Sequence, residues 1–249
     1  MHVREYGHGR RAVVLLHATP GRSDDFVPLA EALAASHRVL LPDLPGYGPS
    51  APLEPYDWAA AQRAVEEMLG SRGIEEVSAV GHSSGCYRAF RLAIDGTIRV
   101  TRIACLGATA GPAEEGRKTL REAAAALRAG ADLSGMFVVR FLSEQSRANS
   151  ATVDAVKDWL TAAPREVIAA ELETFAGLDH LGPRLGEIRA SVLFRVGERD
   201  AATPPAISEA LAREIPSARV EIVAGRGHAL LLEDSAATIE SLRSFLAAA

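Results

Sequence analysis

A serine hydroxyl is a weak nucleophile until a base takes its proton. One serine in this chain stands in a setting suited to that chemistry. Gly81-His82-Ser83-Ser84-Gly85 follows the apolar run 77–80 and precedes a helical pattern over 84–94. A strand, a tight turn and a helix in that order hold the central hydroxyl above the end of a sheet. Small residues two positions to either side let the chain turn sharply there. This frame selects Ser83 and not Ser84, whose neighbours at the same spacing are His82 and Cys86. The helix beginning at Ser84 points its positive end at the nucleophile. Without a strand and a helix around it, the same pentapeptide is an ordinary Gly/Ser turn.

Seven histidines are candidate bases. His2, His8 and His37 read as surface residues. His82 lies inside the turn, with its side chain directed away from that of Ser83. His17 ends a strand and can orient the loop after it, and His180 falls in a helical stretch. His228 differs from these: it follows the last strand and the loop Gly225-Arg226-Gly227. A histidine on such a loop can reach across the top of a sheet. A histidine base needs a carboxylate to orient it. Asp200 follows Val196-Gly197-Glu198-Arg199 and precedes a turn and a helix start. That places it at the same sheet edge as Ser83 and His228. Glu198 is the runner-up acid. A purely structural Asp200 would cap the following helix.

These residues need a scaffold. Short apolar runs at 12–16, 38–41, 77–80, 101–106, 191–196 and 219–223 read as strands. Helical patterns start near Ser23 and cover 58–69, 84–94, 205–214 and 236–246, with Asp57 as a cap for the second. Strands apolar throughout and alternating with helices imply a mostly parallel sheet covered on both faces, an α/β fold. The alternation breaks at 113–187. This stretch is Ala-rich and helical in period, and Gly130, Gly135, Pro164 and Gly177 divide it into three or four helices. The 27 Lys+Arg against 32 Asp+Glu leave a net charge of −5, which provides no basic face for nucleic acid. No run approaches the ~20 apolar residues of a membrane span. Cys86 and Cys105 cannot build a disulfide framework and read as buried thiols in a reducing, cytoplasmic protein. No G-x-G-x-x-G follows the first strand, and neither G-K-[ST] nor H-E-x-x-H occurs. No cofactor or metal site is implied.

The motifs together resemble the α/β-hydrolase-fold superfamily, in its capped serine-hydrolase form. They are His17-Ala18-Thr19-Pro20-Gly21, Asp43-Leu44-Pro45-Gly46-Tyr47-Gly48-Pro49-Ser50, the Ser83 turn, the loop from Gly197 to Asp200 and Gly227-His228. The chain order Ser, Asp, His is that of the family. The resemblance implies a core of residues 1–112 and 188–249 with a helical cap at 113–187. It implies a catalytic triad of Ser83, His228 and Asp200. It also implies an oxyanion hole made by two backbone N–H groups, one from Ser84 and one from Thr19 or Ala18. Ala18 stands where the family usually has Gly, and Cys86 where many members have a second Gly. Phe26 and the insertion residues Met136, Phe137, Phe141, Trp159 and Phe175 are candidate pocket walls or packing residues. The expected activity is hydrolysis of an ester, thioester or lactone of a small molecule through an acyl-enzyme. Alternatives on the same triad are C–C bond hydrolysis of a diketone and acyl transfer to an alcohol or peroxide. The alternative from another class is a ligand-binding relative without catalysis.

Overall fold

The apolar runs pair into one sheet in the computed structural model, which describes residues 1–247. Its strands are β1 (Val3–Tyr6), β2 (Arg11–Leu16), β3 (His37–Pro42), β4 (Glu76–His82), β5 (Arg99–Leu106), β6 (Ser191–Gly197) and β7 (Ala218–Val223). The spatial order is β1-β3-β2-β4-β5-β6-β7. Every pairing is parallel except β1 with β3, which runs antiparallel from Val3 opposite Pro42 to Tyr6 opposite Val39. Strand β1 is absent from the sequence reading. Its four residues include Arg4 and Glu5, and its side chains are half-buried or exposed, so it carries no apolar period.

Successive side chains of a strand point to opposite faces. Val13, Leu15, Val39, Leu41, Val80 and Ala104 face α1 (Val27–Leu33) and α10 (Ser235–Ala247). Val14, Leu16, Leu40, Ala79, Ile103 and Cys105 face α2 (Trp58–Gly70), α3 (Ser84–Asp95) and α8 (Pro205–Glu214). Both faces are therefore covered, which is why these strands read as continuous apolar runs. Helix α2 is capped by Asp57, whose carboxylate accepts from the N–H groups of Ala59 and Ala60 at 3.0 and 3.1 Å.

Four helices occupy the stretch between β5 and β6: α4 (Glu114–Arg128), α5 (Ser134–Phe141), α6 (Ser150–Asp158) and α7 (Arg165–Ala176). Helix α4 packs along α7, and α5 against α6. The short helix α9 (Leu230–Glu233) follows the His228 loop. One surface assignment is corrected: His37 is buried, and its Nδ1 lies 2.8 Å from Ser36 Oγ. It begins β3 opposite Arg11 of β2, and the turn holding Gly7 and Gly9 packs against its main chain. Among the described residues, no helix is long and apolar enough to cross a membrane.

Candidate active site

Strand β4 ends at His82 and helix α3 begins at Ser84, so Ser83 is the whole turn between them. Its φ of 53° and ψ of −117° make it the one non-glycine residue with positive φ among those described. Such a conformation costs about 1–3 kcal/mol and persists only where its surroundings enforce it. Here the Ser83 N–H donates to Leu106 O at 2.9 Å, and the Cys86 N–H donates to Ser83 O at 2.9 Å. The flanking glycines have a steric cause. A Cβ on Gly81 would stand 2.5 Å from Cys86 N, and one on Gly85 would meet the carbonyl oxygen of Leu16.

Across the sheet edge, His228 Nδ1 lies 2.8 Å from Asp200 Oδ2. An ionised carboxylate only accepts, so Nδ1 carries the proton and Nε2 presents its lone pair. His228 is 1% exposed, and Nε2 is buried with no hydrogen-bond partner. Asp200 Oδ1 accepts from the N–H groups of Ala202 and Thr203, both at 2.8 Å, and Oδ2 accepts from Thr203 Oγ1 at 3.0 Å. Burial pushes the Asp200 carboxyl up, but the neighbouring His228 and the donors from His228 and Thr203 outweigh it, and the net shift is downward. Asp200 thus stays ionised while it braces both the turn before α8 and the imidazole. Glu198 is not part of this group: it accepts from the Gly225 N–H at 2.9 Å, and its side chain is largely in solvent.

His82 is buried with its ring 4.8 Å from that of His228. Its Nε2 donates to His228 O at 3.2 Å. Burial, and then the nearness of His228, push its pKa down to about 3, so it remains neutral. His17 does orient the loop after β2. The Leu44 N–H donates to its Nε2 at 3.1 Å, which leaves the proton on Nδ1 to donate to Ala18 O at 2.9 Å. The carbonyl of the Ala18–Thr19 peptide is thereby held, and with it the direction of the Thr19 N–H. Ser84 opens α3, so its own N–H has no partner within the helix. The Ser84 and Thr19 hydroxyl oxygens are 3.3 Å apart.

The aromatic candidates separate into groups. Phe141 stacks on the His228 ring at 5.0 Å, and Trp159 lies 5.7 Å from His82. Phe137 packs beside Phe141, and all three belong to one cluster with Ala229. Phe26 is instead buried among the residues of the α1 and α10 face. Phe175 packs against Trp58 and Tyr87. Met136 is 45% exposed. A cleft of about 480 Å³ opens between Arg22 and Asp43 on one side and Asp158 and Thr161, at the end of α6 and just after it, on the other. Its lining mixes charged residues such as Arg4, Arg22 and Asp24 with Tyr47, Pro49 and Ala162 and does not include Ser83, so the candidate site rests on the Ser83 turn and on the His228–Asp200 pair.

In sequence Gly107 reads only as the start of a small-residue turn, 107–111. A Cβ there would stand 2.6 Å from His228 Nδ1 and 3.0 Å from Asp200 Oδ2. The position must be glycine for the imidazole and the carboxylate to meet, and its φ of +56° favours glycine as well. Among the described residues there is no group of three or more His, Cys, Asp or Glu side chains able to hold a metal ion.

Comparison with known proteins agrees with the fold. The dihydrolipoyllysine-residue acetyltransferase component of the acetoin cleaving system of Cupriavidus necator is 28% identical over 240 residues. That match covers 91% of this chain but only 61% of the relative, so the chain spans less than two thirds of its length. A 2-hydroxy-6-oxononadienedioate/2-hydroxy-6-oxononatrienedioate hydrolase of Cupriavidus pinatubonensis is 30% identical over 251 residues, covering 92% of this chain and 84% of the relative. The solved structure of a thermophilic esterase from Thermogutta terrifontis superposes with a TM-score of 0.91 at 25% identity, covering 98% of this chain and 92% of that one. A family model matches residues 13–241, and on that match the chain belongs to the alpha/beta hydrolase family.

Proposed function

We propose that this protein is a serine hydrolase that cleaves an ester, thioester or lactone of a small molecule. Ser83 Oγ attacks the carbonyl carbon as His228 Nε2 takes its proton. The oxyanion is held by the N–H groups of Ser84 and Thr19, rigid donors that need no reorganisation as charge develops. His228 returns the proton to the leaving group, and an acyl-enzyme remains. Water, activated by the same Nε2, then releases the acyl group. Asp200 keeps the imidazole in the productive tautomer and stabilises its charged form.

The observation that carries this reading is the state of His228. Its Nδ1 is bound to Asp200 at 2.8 Å while its Nε2 is buried and unpartnered, and its ring lies 4.8 Å from that of His82, the residue just before the strained Ser83 turn. The reading of Thr19 as the second oxyanion donor is supported by the His17 bond to Ala18 O. Segment 113–187 acts as a cap on a core of 1–112 and 188–249, with Phe141 and Trp159 as the parts of its roof nearest the histidines.

A second reading, hydrolysis of a C–C bond in a diketone, is favoured by the 30% identical relative, which is named for a dienedioate substrate. Esterolysis is favoured by the esterase likeness. The deciding experiment is labelling with a fluorophosphonate probe, followed by a screen of p-nitrophenyl esters of rising acyl length beside a ring-cleavage diketone. The expected result is labelling at Ser83, ester turnover, and loss of both in Ser83→Ala. A folded protein that does not label would be a binding module, and the hydrolase reading would fall.

A further inference from the structure

The main chain of His228 is held by the helical insertion as much as by the sheet. Its N–H donates to Phe141 O at 2.8 Å, and the next N–H, from Ala229, donates to the same oxygen at 3.2 Å. Its carbonyl accepts from His82. The residue before it, Gly227, donates its N–H to the Glu233 carboxylate, 3.1 Å from both oxygens. Glu233 Oε2 also accepts from the N–H of Ser143, at 3.0 Å. One carboxylate therefore joins the histidine loop to the segment that follows α5. Glu233 is 9% exposed and is met here by main-chain donors, not by a cation. A buried carboxylate needs such donors, and charge-assisted bonds of this kind are about twice as strong as neutral ones. Gly227 fits the same arrangement: a Cβ there would stand 2.7 Å from Ser143 N and 2.8 Å from Phe141 O.

We propose that Glu233 is a positioning residue for His228, setting the height of the imidazole by clamping Gly227 to Ser143 of the insertion. This rests on the reading of His228 as the base. The clamp makes the insertion part of the catalytic machinery: the Phe141–Ser143 segment fixes where Nε2 stands relative to Ser83. Without the clamp, two buried N–H groups face each other unpaired and the loop must shift. A displacement on the order of 1 Å costs up to about 100-fold in rate.

The test compares wild type with Glu233→Gln, which presents one acceptor and one NH₂ group where two acceptors stood. Three quantities are measured: steady-state kinetics on p-nitrophenyl acetate, the rate of fluorophosphonate labelling, and hydrogen exchange of the 141–145 and 225–229 segments. The expected result is a fall in kcat of about 10- to 100-fold with KM changed less than about threefold. Labelling falls by the same factor, and exchange rises in both segments together. Glu233→Asp keeps the charge but is one methylene shorter, and its kcat falls between the two. An active wild type with unchanged kcat and labelling in Glu233→Gln overturns the proposal. So does an equal loss in a variant whose exchange rises across the whole chain, since that is unfolding. A wild type that neither labels nor turns over overturns the hydrolase reading instead, and the exchange data then decide separately whether Glu233 holds the loop.

Discussion

Arg88 and Glu171 form an ion pair from which solvent is wholly excluded, with Nη2 2.7 Å from Oε1 and both side chains 0% exposed. Arg88 lies on α3, one turn beyond Ser84, and Glu171 lies on α7, between β5 and β6. The hydroxyls of Tyr47 and Tyr56 donate to Glu171 at 2.8 and 2.7 Å. Burial, and then the Glu171 charge, push both phenols well above their ordinary range, so they remain donors. The Arg88 guanidinium also sits over the Trp58 ring, 3.5 Å from its centroid. Helix α3, which follows Ser83, is thus joined to α7 by a charge pair under the protein surface.

Breaking that pair from one side should be costly, because it strands a buried charge. Glu171→Leu is expected to lose about 3–5 kcal/mol of stability. Glu171→Gln should lose less, since its amide oxygen still accepts from a tyrosine. Urea denaturation at pH 7 measures both. A loss under about 1 kcal/mol in Glu171→Leu, the size of an exposed pair, would show that the pair does not anchor α7 to α3.

Ser83→Ala should lower kcat by about 10⁴ or more with the fold intact. Ser84→Ala should be far milder, because it keeps its N–H and loses only the hydroxyl beside Thr19. Kinetics on an activated ester decide between them. Equal losses would mean that the turn has been framed on the wrong serine.

Asp200→Asn should keep the structure and cost about 10⁴ in rate through a misoriented imidazole. Glu198→Gln should behave as wild type, because Glu198 reaches Gly225 and not His228. The reverse outcome would move the acid to Glu198.

Phe141→Ala removes the ring stacked on His228. It should alter the ratio of kcat/KM between short and long acyl esters by about 1–3 kcal/mol. Met136→Ala, at an exposed position, should leave that ratio unchanged. If both variants rank the esters as wild type does, the roof role of Phe141 is wrong.

Asp25 gives stability a distinctive pH dependence. Burial raises its pKa to about 7, against the opposing pull of Arg22 and of the Trp159 N–H, while Asp24 and Asp158 raise it further. That indole N–H lies outside hydrogen-bond geometry, so it offsets little. The folded state holds a proton that the unfolded state releases near pH 4, so stability falls as pH rises from about 4 to about 7 and is level above that. Asp25→Asn removes this loss. It should be more stable than wild type at pH 8, by about 2–4 kcal/mol, and equal to it at pH 4. Melting temperatures at the two pH values test this; equal gains at both would exclude a titration at Asp25.

The parallel sheet was legible because each run such as Val13-Val14-Leu15-Leu16 is buried on both faces, which leaves a continuous apolar signature. The Ser83 turn was legible because glycine at 81 and 85 answers a local steric demand. Strand β1 was not legible, since its four residues become a strand only by pairing with β3. Phe26, Phe175 and Met136 all carried an apolar signal, yet they stand in the core, against Trp58 and Tyr87, and in solvent respectively. Periodicity states which side of a helix is apolar, not what will cover it. Glu233 reads in sequence as one acidic residue after Leu230-Leu231-Leu232, and Gly107 as a turn. Their importance depends on Ser143, Gly227, His228 and Asp200, which lie far away along the chain. Backbone preference and hydrophobic period act over a few neighbouring residues. The partners of a buried carboxylate, or the clearance an imidazole needs, are set by which distant segments the topology brings into contact.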